Sequence, residues 1–125
     1  VMTTIKRLGQ GPGNLTLCQG VLVDNLYFMS GVIGVDLEKG CLVEGGIKAE
    51  TAKCFDHLKE SLALAGMDLS NIVKVTVYLR NMEDYAEFNG VYADLIGSNP
   101  PAREAAAVSG LALDAHVEIS LIAAK

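Results

Sequence analysis

The chain is short of several residue patterns, and each shortage narrows what it can be. Its three cysteines, Cys18, Cys41 and Cys54, are odd in number and far apart, with no Cys-x-x-Cys pair. That spacing argues against a disulfide framework or a structural zinc site and leaves reduced thiols as the expected state. The two histidines, His57 and His116, have no Cys, His or acidic neighbours at a ligand spacing, so no metal is expected. Lys and Arg form no cluster, and the net charge is −5 with a pI near 4.9. The electrostatic footprint of a nucleic-acid binder is therefore missing. No run approaches the roughly 20 apolar residues of a membrane span, and residues 1–7 lack the apolar stretch of a signal peptide. The expectation is a cytoplasmic protein with neither nucleic acid nor membrane as partner. Internal repeats, linkers and low-complexity segments are absent too.

What is present is apolar. Half of the 125 residues are hydrophobic and the mean hydropathy is +0.32, high for a small soluble monomer. The length suits one domain, residues 1–125, able to bury about two-thirds of its unfolded surface. The apolar surplus points to further burial between subunits.

The hydrophobic pattern changes period along the chain. Thr4 to Leu8 reads as a first strand, and the glycines and Pro12 of residues 9–14 as a loop. Cys18–Val23 and Asn25–Ser30 read as strands joined by a turn at Asp24-Asn25. Residues 31–46 carry five glycines and little periodicity, which predicts a loop. Thr51, Phe55, Leu58, Leu62 and Ala65 then step by four and three, the stripe of a helix ended by Gly66. Residues 72–79 alternate, with Val73, Val75, Val77 and Leu79 expected on the buried face. Asn81 is a candidate N-cap, and Tyr85, Phe88, Tyr92 and Leu95 form a second helical stripe closed by Gly97. His57 falls among charges and is expected to be solvated; His116 is expected in the loop before the last strand. Strands, helix, strand, helix and two strands predict an α+β fold, a mixed β-sheet with two helices packed on one face.

The last quarter carries the charges that need explaining. After Pro100-Pro101, Arg103 stands among small residues, and alternation puts Arg103, Ala105 and Ala107 on one face with Glu104 opposite. In the final run Val117, Ile119 and Leu121 share a face and Glu118 takes the other. Either charge inside a sheet is costly unless it is paired or faces a cavity. An ordinary Arg–Glu ion pair or two sheet-surface charges would account for both, and so would a ligand site.

Pro101-Ala102-Arg103 followed by Val117-Glu118-Ile119 resembles the C-terminal signature of the RidA (YjgF) family of reactive-intermediate deaminases, also labelled endoribonuclease L-PSP. Phe28-Met29-Ser30-Gly31, residues 74–79 and residues 88–93 resemble three further family segments in the same order. The resemblance implies a chorismate-mutase-like fold, a homotrimer with clefts between subunits, and no cofactor. It implies that Arg103 grips the carboxylate of a small 2-imino or 2-keto acid and that Glu118 activates water; Ser30, at a strand end before Gly31, is placed either to meet the ligand or for simple turn chemistry. The implied reaction is hydrolytic deamination of 2-iminopropanoate or 2-iminobutanoate. The chain also departs from the family: Leu17 stands where a ligand-facing Tyr is usual, Val32 follows Ser30-Gly31 in place of Gln, and Ala105 replaces Cys or Thr. These losses favour an alternative, a carboxylate-binding module without turnover. A third reading, endoribonuclease or translation inhibitor, sits poorly with the acidic charge.

Overall fold

The computed structural model describes residues 2–125. A hairpin of β1 (Ile5–Leu8), β2 (Gly20–Val23) and β3 (Leu26–Met29) opens the chain. Its β2–β3 turn forms at Asp24, which holds a positive φ of 53°. Two long strands follow later, β7 (Ile72–Leu79) and β9 (Val117–Ala124), with β8 (Ala102–Ala107) at the edge. The sheet runs β1-β2-β3-β9-β7-β8, antiparallel throughout except for the parallel pair β7–β8. That parallel pair requires a crossover, supplied by the helix α2 (Tyr85–Ile96).

Residues 31–46, expected as a loop, contain three two-residue strands: β4 (Val32–Ile33), β5 (Val35–Asp36) and β6 (Cys41–Leu42). β4 adds to β9, while β5 and β6 pair with each other. The β5–β6 turn is held by Asp36, whose carboxylate accepts the N–H groups of Glu38 and Lys39 and so stays below its ordinary pKa. Two residues are too few to display alternation, so these strands are set by their partners rather than by their own pattern.

Both helices cover one face of the sheet. α1 (Gly46–Leu64) turns Thr51, Phe55, Leu58 and Leu62 fully inward, as its stripe predicts, and Gly66 follows at φ 70°. The Asn81 side chain accepts the Glu83 N–H at 2.9 Å, capping a 3₁₀ turn (Met82–Asp84) that leads into α2. Phe88 and Tyr92 of α2 are buried, and Tyr92 meets Phe55 edge-on at 6.0 Å. The sheet contributes Tyr27, Val75, Val77, Leu79, Ile119 and Leu121 to this core. Val73 does not join them. A bulge between Ile72 and Lys74 shifts the register, leaving Val73 46% exposed and putting Ile72 in the core instead. The opposite face of the sheet is bare, with Leu26, Phe28 and Tyr78 exposed along it.

Candidate functional site

Arg103 pairs in register with Val75 across the parallel β7–β8 ladder, and Val75 faces the helices. The guanidinium therefore enters the layer between sheet and α2. There its Cζ lies 4.8 Å from the ring centre of Tyr92, 5.6 Å from Phe88 and 5.7 Å from Tyr85. Nη2 donates to the Tyr85 hydroxyl at 3.1 Å. The aromatic stripe that reads in sequence as plain core is thus also the seat of this cation, a cation–π arrangement. Burial raises the Tyr92 phenol above its ordinary pKa, and the Arg103 charge pulls it partly back. Asn89 Oδ1 and Tyr92 Oη, on the same helix, are buried without a hydrogen-bond partner. Ala105 points to the same side as Arg103 and packs against the core. Glu104 takes the opposite side, as alternation predicts, and pairs there with Lys74 at 3.0 Å.

Among the described residues no carboxylate lies within ion-pair distance of Arg103. A half-buried guanidinium supported only by a neutral phenol and three rings has donors left over for an anion. Of the readings the sequence left open, the Arg–Glu ion pair within the sheet does not form.

Glu118 is opposite Tyr78 in the β7–β9 ladder, on the bare face of the sheet. Its carboxylate lies over Gly31, where an added Cβ would come within 2.8 Å of Oε2. A side chain there would press that flexible carboxylate aside. Ser30, the next residue, is half-buried and gives its hydroxyl proton to the Cys18 carbonyl at 2.7 Å. Leu17 precedes Cys18 and is 45% exposed. The structure thus gathers Glu118, Ser30 and the Leu17 segment at one place and Arg103 with Ala105 at another. Within one chain the two charges stand on opposite faces of the same sheet.

A third charged group escaped the sequence reading. Glu50, 1% exposed on α1, accepts the His116 backbone N–H at 2.8 Å and also bonds the His116 ring at Nδ1. His116 Nε2 meets Arg80 Nη2 at 2.8 Å. Because a guanidinium can only donate, Nε2 accepts and the ring proton sits on Nδ1, facing Glu50. Arg80 completes the chain to Asp114, bonding its carbonyl at 2.7 Å and its carboxylate at 2.9 Å. His57 was expected in solvent, yet it is half-buried and donates from Nε2 to the Val35 carbonyl at 2.7 Å, tying α1 to β5. Cys54 is buried, and burial pushes its thiol well above the ordinary range, so it is no nucleophile. No group of three or more metal-ligating side chains occurs among the described residues. Nor is any helix there long and apolar enough to cross a membrane.

The chain is a two-layer α+β domain that seats an arginine on three aromatic rings, with no carboxylate beside it among the described residues. Comparison with known proteins narrows this. The family model described as Endoribonuclease L-PSP matches residues 14–125. A RutC family protein of Pyrococcus horikoshii is 41% identical over 107 residues, 86% of this chain and 85% of that one. The human 2-iminobutanoate/2-iminopropanoate deaminase is 39% identical over 105 residues, 84% of this chain and 77% of its own. Among solved structures, RidA from an Antarctic Psychrobacter matches with a TM-score of 0.85 at 33% identity, covering 95% of this chain and 94% of that one. The chain belongs to the RidA family, as its C-terminal motifs lead one to expect.

Proposed function

We propose that this protein hydrolyses small 2-imino acids to 2-keto acids and ammonia, at clefts between the subunits of a homotrimer. The observation that carries the reading is Arg103, a half-buried cation seated on three aromatic rings with no carboxylate partner among the described residues. Such a site is completed by the carboxylate of a ligand, held bidentately by the planar fork. Relatives about 40% identical bear the name 2-iminobutanoate/2-iminopropanoate deaminase, which supports this substrate class.

The opposite placement of Arg103 and Glu118 gives the cleft its composition. One small acid cannot touch both sides of a sheet, so the two residues act together only when they come from different copies. The exposed Leu26, Phe28 and Tyr78 of the bare face suit coverage by those copies. In the cleft, Arg103 of one subunit fixes the carboxylate. Glu118 of the next subunit accepts a proton from water as the water oxygen bonds to C2 and the C=N π-bond opens onto nitrogen. Transfer of that proton to nitrogen gives the carbinolamine, and passage of its hydroxyl proton to nitrogen as the C–N bond breaks expels ammonia and leaves the keto acid. C2 is already electrophilic, so positioning supplies much of the acceleration.

A second reading, a carboxylate-binding module without turnover, draws on Leu17 and Ala105, neither of which offers a polar group to substrate or water. The endoribonuclease label has the least support, because the chain is acidic and carries no basic surface cluster.

One experiment tests the shared cleft. Arg103→Ala and Glu118→Gln are each expected to lower imine hydrolysis by about 100-fold or more. Refolded together, they should recover about a quarter of wild-type activity, because some clefts then combine an intact Arg103 with an intact Glu118. A mixture as inactive as its parts, beside refolded wild type that is active, removes the shared cleft. Wild type that binds 2-ketobutyrate without hydrolysing any imine removes the deaminase and leaves the binding module.

A further inference from the structure

Tyr85 opens α2, and its hydroxyl oxygen is the acceptor for Arg103 Nη2 at 3.1 Å. A phenol that accepts from a cation retains its own proton to donate, and the donation it receives strengthens the one it can make. Among the described residues that proton has no acceptor: the contact with Arg103 is the only hydrogen bond of the Tyr85 side chain. Tyr85 itself is half-buried, at the first position of α2. Tyr92, the ring nearest to Arg103, differs: its hydroxyl is buried and unpartnered, and burial raises its pKa.

We propose that Tyr85 is a second ligand-binding residue, whose hydroxyl donates to one oxygen of the carboxylate while Arg103 donates to the other. The inference rests on the reading of Arg103 as the carboxylate clamp. It adds that the acid is gripped by a coupled pair, Nη2–H to Oη and Oη–H to carboxylate. The three rings against the guanidinium limit the directions from which that carboxylate approaches. The carboxylate that Arg103 lacks among its own neighbours is then bound by two side chains, one on β8 and one on α2.

Tyr85→Phe keeps the ring against Arg103 and removes only the hydroxyl. The variant should unfold at the wild-type temperature and bind 2-ketobutyrate about tenfold more weakly by calorimetry, the scale of one hydrogen bond to a charged group. The loss should appear in KM more than in kcat, and pyruvamide, which has no carboxylate, should bind wild type and variant alike. Less than a twofold change, alongside a clear loss in Arg103→Lys, overturns the role of Tyr85 and leaves the clamp. Unchanged binding in both variants overturns the clamp itself.

A donor must also be told apart from a tether that merely holds Arg103. Replacing Tyr85 by 3-fluorotyrosine makes the phenol a better donor and a poorer acceptor. Tighter keto-acid binding is expected. Looser binding would make Tyr85 a tether and overturn the proposal.

Discussion

Glu50 and Arg103 are both withdrawn from the surface, and the fold treats them in opposite ways. Glu50 is almost wholly covered, and its carboxylate receives both the backbone and the ring of His116, behind which Arg80 and Asp114 continue the chain of contacts. Arg103 is only half-covered and, among the described residues, receives no anion, just a phenol and three aromatic faces. A buried charge is costly unless its bonds are complete. The completed group is part of the architecture: it ties α1 to the end of β7 and the start of β9. The incomplete one keeps part of its bonding capacity for something outside the chain. Saturation, more than burial, separates the structural charge from the candidate functional one.

That contrast can be broken at three points, in falling order of effect. Glu50→Ala removes the anion and leaves two half-buried His116 N–H groups without an acceptor, which should cost about 2–4 kcal/mol in urea unfolding. The folded fraction should still bind 2-ketobutyrate as wild type does. A loss below about 1 kcal/mol would show that the His116 network contributes little to the fold. Arg103→Lys retains the charge but not the fork. Keto-acid affinity should fall about ten- to hundredfold, corresponding to roughly 1.5–3 kcal/mol, with little change in stability. Unchanged affinity in calorimetry would put the carboxylate somewhere else. Glu104→Ala removes an ion pair whose side chains are 38% and 67% exposed, so the loss should be about 0.5 kcal/mol or less and vanish in high salt. A larger loss would mean that the bare face is covered in solution, and would sharpen the case for a subunit interface there.

The elements that were legible are those with a long, clean period. The stripe from Thr51 to Ala65, the stripe from Tyr85 to Leu95 and the alternation of residues 117–123 all appear as expected, because each spans several turns or pleats. Val73 was misplaced because a bulge inserts one residue into an otherwise regular alternation, and no residue type announces it. The three strands within residues 31–46 were too short to show a period. Arg103, Glu118 and Ser30 could be singled out by residue type and motif. The aromatic seat of Arg103 could not, since Tyr85, Phe88 and Tyr92 have the spacing of any buried helical face.

By itself the sequence determined the helices, the principal strands, the family, and which neighbours within each strand share a side. It placed Arg103 with Ala105, and Glu118 apart from Val117 and Ile119, because alternation is a local property of extended backbone. Only the tertiary structure decided how one strand's faces map onto another's. The parallel register with β7 turned Arg103 toward the helices, and the antiparallel register turned Glu118 to the bare side. The bond from Glu50 to His116 spans 66 positions, and the one from Arg103 to Tyr85 crosses from the sheet to a helix. Such contacts depend on long-range pairing and packing, which no local period encodes.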